Sequence, residues 1–223
     1  MSTTPQHRTP KLSQERLIKA ALGLIDEAGL DKLTVRRVAA VLDVAPMALY
    51  WHFANKDELL DGIGDHLARQ LDISAIDPDS SWDTRLTALM RALIATLSAH
   101  PNAADLTMRR LLYTEPGQRL AELGLQSLHD AGLNDDDALI VGRYALRTSV
   151  AVASEPVFTG TNTAPDCAAH LLNEFENQAR ALPAASFPLL LRMSDNIHKA
   201  SDAHRYQDIA IQLFIEGIRH FPR

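Results

Sequence analysis

The chain has 223 residues, of which 46% are hydrophobic, 22% charged and 5% aromatic; this excludes wholesale disorder and fibrous repeats and allows one large domain or two small ones. A single cysteine, Cys167, excludes an intramolecular disulfide framework and fits a reducing, cytoplasmic compartment. The longest run without Asp, Glu, Lys or Arg goes from Ala92 to Ala104 and contains His100 and Pro101, too short and too polar to cross a bilayer, so no membrane partner is expected.

The polar start, with Pro5 and Pro10 and no apolar segment, reads as a loose arm over residues 1–12 rather than a secretory signal. Net charge is −6, which counts against a polyanion partner, but the charge is unevenly placed. Residues 1–56 carry eight Lys and Arg against five acids, whereas the remaining 167 residues carry 14 basic against 23 acidic side chains. That asymmetry describes a basic head that meets a polyanion and an acidic body that turns away from it.

From Ser13 onward Leu17, Ala21, Leu24, Ile25 and Ala28 recur at helical spacing, and Gly29 stops the helix. Thr34 is an N-cap for a second helix about two turns long, with Val35, Val38, Ala39 and Leu42 inward and Arg36, Arg37 and Ala40 outward. A third helix spans Ala45 to Phe53, with Pro46 in its first turn and Leu49 and Phe53 on one face. Helices this short cannot stand alone and must pack on the first, which makes a helix-turn-helix over residues 13–58. Asn55-Lys56-Asp57-Glu58 is a capping box for the following helix, so its amides and the Lys56 charge can face one phosphate. On residue type alone, Tyr50 and Trp51 fit a core as well as a groove.

The run Leu33-Thr34-Val35-Arg36-Arg37-Val38-Ala39-Ala40-Val41-Leu42-Asp43-Val44, with Leu49-Tyr50-Trp51-His52-Phe53-Ala54-Asn55-Lys56 and Leu59-Leu60-Asp61, closely resembles the DNA-binding head of the tetracycline-repressor family. Fainter likeness continues through Ser81-Trp82, His100-Pro101, Ala131-Gly132-Leu133 and the helix containing Gly217, and so covers nearly the whole chain. The resemblance implies that the third helix enters the major groove. Pro46, Met47 and Ala48 would then meet base edges, with Tyr50, Trp51, His52 and Lys56 toward the backbone and Arg36 reaching a base; Thr34 and Arg37 belong to the same surface. Pro46, Met47 and Ala48 offer no side-chain hydrogen bonds, so direct readout rests on thymine methyls and on Arg36 against a guanine, supplemented by DNA shape. Asp43 stands where the family usually has glycine, and a left-handed backbone with some strain is expected there.

Beyond Lys56 the pattern stays helical, and the fold class is all-α: a three-helix head followed by a larger helical ligand-binding and dimerisation domain over residues 59–223. Helices are predicted at 57–71, 81–99, 102–112, 116–131, 135–154, 166–181 and 204–220, with loops at 77–81, 155–165 and 182–188, the middle one the most mobile. Between Ala138 and Ser154 only Arg143 and Arg147 are charged, and the last helix, with Ile209, Ile211, Leu213, Phe214, Ile215 and Ile218, is similarly apolar. Helices apolar on most sides need two partners, and a four-helix contact between two copies supplies them, as the resemblance also implies. A homodimer with two heads suits a palindromic DNA operator.

Bodies of this type enclose an effector pocket, for which Leu89, Leu93, Thr107, Arg110, Tyr113, Gln126, Tyr144 and Arg147 are the candidate lining. Thr107 occupies the position aligned with the family's metal-coordinating histidine, which argues against a magnesium-tetracycline effector, while Arg110 and Arg147 allow an acidic one. No metal site or cofactor is expected from the nine histidines, since none pairs at ligand spacing, with His198 and His204 six apart. Gly62-Ile63-Gly64 lacks the preceding strand of a nucleotide fingerprint, and no nucleophile has a recognisable base, so no catalytic residue is named. The function expected is a ligand-responsive repressor; the alternative is an all-α small-molecule binder or enzyme whose head does not read DNA.

Overall fold

Ser13 opens the first helix by accepting the Arg16 amide on its hydroxyl, and in α1 (Gln14–Ala28) the apolar stripe Leu17, Ala21, Leu24 and Ile25 is buried at the predicted spacing. Leu22 is buried as well, whereas Ala28, expected inward, is exposed on the last turn, where the helix runs past the core. Gly29 ends α1 at φ +81°, its N–H bonded to the Ile25 carbonyl at 2.8 Å. The computed structural model describes residues 12–155, 165–196 and 202–221, and every regular element among them is helical.

In α2 (Val35–Val41) the Thr34 hydroxyl accepts the Arg37 amide at 3.2 Å, Val38 and Ala39 are buried, and Arg36, Arg37 and Ala40 face out. Asp43 lies at φ +53°, the left-handed turn expected of a residue standing in for glycine. The third element departs from expectation in kind. Pro46–Trp51 is a 3-10 helix rather than an α-helix, with the Leu49 carbonyl accepting both the His52 and Phe53 amides. Only Leu49 and Phe53 anchor it to the core, too little burial to impose a full α geometry on six residues that begin with proline.

Asn55 caps α3 (Lys56–Ala68) by accepting the Glu58 amide at 2.8 Å, but the Glu58 carboxylate reaches back to the Ala54 N–H, one residue earlier than in a standard box. Leu59, Ile63 and Leu67 of α3 share one core with Leu17, Ile25, Leu33, Val38 and Leu49, and Ala103 and Leu106 join it from the body. The packing unit of the head therefore runs past residue 58. Each of the fully buried Leu17, Ile25 and Leu33 side chains contributes about 1.5–3 kcal/mol relative to exposure.

The body comprises α4 (Trp82–Ser98), α5 (Ala104–Arg110), α6 (Glu115–Asp130), α7 (Asp135–Ala153), α8 (Pro165–Arg180), α9 (Pro188–Ser194) and α10 (Ala203–Arg219). Helix ends follow the predicted spans closely, with two exceptions. The single helix expected over 102–112 is split into a 3-10 turn at Pro101–Ala103, α5, and a second 3-10 turn at Leu111–Tyr113. Helix α9 starts at Pro188, where only a loop end was expected, because seven residues are too few for periodicity to register. Loop 155–165, the arm, the Cys167 side chain and His198 fall wholly or largely outside the described residues.

Leu86, Leu89, Leu93 and Leu97 of α4 pack with Leu120 and Leu128 of α6, Val141 of α7 and Ile211 and Ile215 of α10 in the body core. Arg85, 2% exposed, ties this core to the preceding loop: its guanidinium donates to Ser127 Oγ at 2.7 Å, to the Ser80 and Pro78 carbonyls, and to Asp130. Buried charge of this kind persists because four acceptors, one of them a carboxylate, surround the guanidinium.

Candidate nucleic-acid interface and effector cavity

The 3-10 segment presents its side chains to solvent. Trp51 is 88% exposed and Met47 69%, Tyr50 and Pro46 are exposed, and Ala48 and His52 are half-buried. The alternative of Tyr50 and Trp51 as core aromatics is thereby removed. Gln14 Nε2 donates to the His52 carbonyl at 3.0 Å, pinning the end of the segment to α1. Arg36 and Lys56 are exposed beside it. Arg37 is also exposed, but its guanidinium donates to the Lys32 carbonyl at 3.0 Å, which buttresses the turn before α2. The Thr34 oxygen is engaged as a cap acceptor, leaving its proton to donate outward. All ten head residues singled out in the sequence sit on this helix-turn-helix and its immediate continuation, and the α3 N-terminus adds unpaired amides and a positive dipole end beside Lys56.

In the body, α4, α5, α6 and α7 surround a cavity of about 330 Å³. Its walls are Leu86, Leu89, Met90 and Leu93 from α4, Met108 and the Leu111-Leu112 turn, Leu120, Ala121, Gly124, Leu125 and Leu128 of α6, and Leu139, Gly142, Arg143, Ala145, Leu146 and Ser149 of α7. Of the eight candidate lining residues, the structure brings Leu89 and Leu93 to the cavity and places the other six elsewhere. Gln126, Tyr144 and Arg147 are exposed on the outer faces of α6 and α7. Thr107 is 1% exposed with no partner for its hydroxyl among the described residues.

Arg110 donates to Asp65 at 2.9 Å, approaches Asp61 at 3.5 Å and stacks over Tyr113, 4.1 Å from the ring centre. The Asp65 hydrogen bond holds the guanidinium above its ordinary pKa. Arg110 therefore joins body to head, with Tyr113 stacked on its guanidinium. The same seam carries His100 against Asp26 at 2.7 Å and Asn102 Nδ2 donating to the Ile25 carbonyl at 3.1 Å. A cavity-facing arginine exists, but it is Arg143, one turn before Arg147; the spacing showed that both lie on one side of α7 and not which one reaches the interior. Among the described residues no cluster of His, Cys, Asp or Glu could hold a metal ion, and no helix is long and apolar enough to cross a membrane.

Residues 17–63 match the family described as bacterial regulatory proteins, tetR family, and residues 76–221 match the tetracyclin repressor-like C-terminal domain. The tetracycline repressor protein class E of Escherichia coli is 31% identical over 182 residues, 79% of this chain and 86% of that protein. An HTH-type transcriptional regulator of Saccharopolyspora erythraea is 32% identical over 138 residues, 61% of this chain; the chain spans 58% of that regulator's length. The TetR family protein ActR of Streptomyces coelicolor, solved in complex with actinorhodin, superposes with a TM-score of 0.70 at 28% identity, covering 93% of this chain and 97% of that one.

Proposed function

The chain belongs to the tetR family of bacterial regulatory proteins, and on that premise we propose that it is a ligand-responsive transcriptional repressor of the cytoplasm, with no catalytic role. Two copies hold their heads on a palindromic operator, and a small molecule entering the body cavity lowers operator affinity. The observation that carries this reading is the exposed Met47, Tyr50 and Trp51 beside Arg36 and Lys56, an apolar and cationic surface that a stable head would not leave in water without a partner. Arg36 reads a base, the 3-10 segment meets thymine methyls, and Thr34, Arg37, Tyr50, His52 and Lys56 hold the phosphates.

The outer stripe of α7, with Ile140 and Tyr144, and that of α10, with Ile209 and Leu213, support a homodimer contact, since both are exposed and apolar in a single copy. The complex of ActR with actinorhodin supports a small-molecule occupant for the cavity. Release follows by population shift: a ligand that prefers the head spacing unable to bind DNA lowers affinity by that preference and no more.

Selection of bound duplexes from a random pool, with and without a metabolite mixture, tests the reading, followed by a salt titration on the recovered site. Six phosphate contacts per dimer give a slope of log affinity against log salt near about −5. Failure to retain any duplex at low ionic strength, or a flat salt response, overturns it.

A further inference from the structure

The cavity's chemistry is one-sided. Among the described residues its only polar side chains are Arg143 and Ser149, and the Ser149 hydroxyl already donates to the Ala145 carbonyl at 2.9 Å. A ligand rich in hydroxyls or amides would lose its hydrogen bonds to water on entering and regain almost none. The leucine and methionine walls favour an apolar body. Two glycines extend the space: a Cβ built at Gly124 meets nothing within 4 Å, and one at Gly142 touches only Leu128 and Leu125, at 3.5 and 3.7 Å. Mid-helix glycine lowers helix propensity, and the gain at these two positions is volume beside the α6 and α7 backbones.

Arg143 breaks the apolar pattern. Arg85, Arg110 and Arg219 are each paired with a carboxylate, whereas Arg143, exposed like its neighbour Arg147, makes no hydrogen bond or ion pair among the described residues, and it alone of these lines the cavity. At about 100° per residue it stands on α7 between the cavity-facing Leu139, Gly142 and Leu146 and the outward Ile140 and Tyr144. Its stem can lie on the apolar wall while the guanidinium stays at the mouth, partly in water. A charged group that meets it there keeps much of its hydration, so the pair forms without the full cost of burying two ions.

We propose that the effector is an apolar molecule bearing a single anionic group, with its body among the leucines of α4, α6 and α7 and its charge on Arg143. The proposal rests on the effector reading above and narrows it to a ligand class. Cations are repelled, polyols are excluded by the walls, and neutral apolar molecules bind without the rim contact. A cavity of about 330 Å³ lies at the low end of small-molecule sites, which fits one chain or one fused-ring system.

The test is calorimetric titration of the full chain with two matched series: dodecanoate, dodecanol and dodecylammonium below their aggregation limits, and 2-naphthoate with 2-naphthylmethanol. In at least one series the acid binds about tenfold more tightly than the alcohol, and the ammonium compound binds most weakly of its series. Arg143→Met abolishes the preference for acid and leaves the alcohol's affinity within about twofold. Gly124→Leu, which fills the cavity with a better helix former, abolishes binding of both without lowering the melting temperature.

Equal affinity for acid and alcohol in the wild type, a preference that survives Arg143→Met, or no binding in either series overturns the proposal. The repressor reading fails separately: acid that binds with the stated Arg143 dependence but leaves the operator occupied at saturation upholds the ligand class and refutes its role as inducer.

Discussion

Asp43, with φ at +53°, carries a side chain through a turn where a Cβ costs about 1–2 kcal/mol, partly offset because aspartate tolerates this region better than most residues. Asp43→Gly is expected to leave stability unchanged or raise it by up to about 1 kcal/mol, and Asp43→Val to lower it by about 1–2 kcal/mol, both measured as urea-unfolding free energies. In the proposed operator complex Arg36 and Lys56 divide the work of binding differently. Arg36→Ala should cost about 1–3 kcal/mol on the operator and relax preference at one base pair per half-site, whereas Lys56→Ala should weaken operator and random DNA alike and reduce the salt slope. Equal losses on both kinds of DNA for Arg36→Ala would remove it from the base-reading set. The outward positions of Arg36 and Lys56 were readable from helix period and capping, which are local. The role of Arg110 was not, because Asp61 and Asp65 lie more than 40 residues away in sequence and reach it only when α5 packs on α3.

Between α3 and α5, the two elements come into close contact at Gly64. A Cβ there would lie 2.5 Å from the Leu106 carbonyl oxygen and 2.7 Å from Arg110 Cγ, so the glycine is what lets the α5 backbone rest on α3. Gly64→Ala should therefore destabilise by about 1–3 kcal/mol in thermal or urea unfolding, despite its gain in helix propensity. An unchanged midpoint would mean that α3 and α5 separate readily.

The other side of α3 carries His66, whose imidazole is held below its ordinary pKa first by partial burial and then by the Lys19 charge. The folded value lies below the unfolded one, so the unfolded chain binds the proton more tightly. This contribution is intact above the ordinary imidazole range and is lost as pH falls through it toward the folded value. Urea midpoints taken from pH 7 to pH 5 should fall, and His66→Gln should flatten part of the decline. Helix ends were readable because Ser13, Thr34, Asn55 and Asn134 each accept an amide within the following turn. The 3-10 form of Pro46–Trp51 was not, since a run of six residues with a single buried side chain inside it is too short for its spacing to separate α from 3-10 geometry.

At the scale of the whole molecule, α7 and α10 leave apolar stripes uncovered in a single copy, with Tyr144 66% and Leu213 69% exposed. If these stripes join two copies, Leu213→Glu places a charge in the contact and should give a monomer by sedimentation with helical circular dichroism retained. Its operator affinity should fall toward the non-specific level, by about 10³-fold or more, because one head alone makes half the contacts. A Leu213→Glu chain that remains dimeric would move the contact elsewhere.

The order of amino acids alone determined the all-α class, the helix-turn-helix and its outward cations, the strained turn at Asp43 and the apolar excess of α7 and the last helix. Each of these is written in neighbours no more than a few turns apart. Packing decided which arginine faces the cavity, that Arg110 binds head to body, and that the head's core takes in Ala103 and Leu106. Those outcomes depend on which helix lies against which, and on rotations of a few tens of degrees about a helix axis. Periodicity fixes such rotations for a stripe as a whole and leaves them open for the residues at its edge.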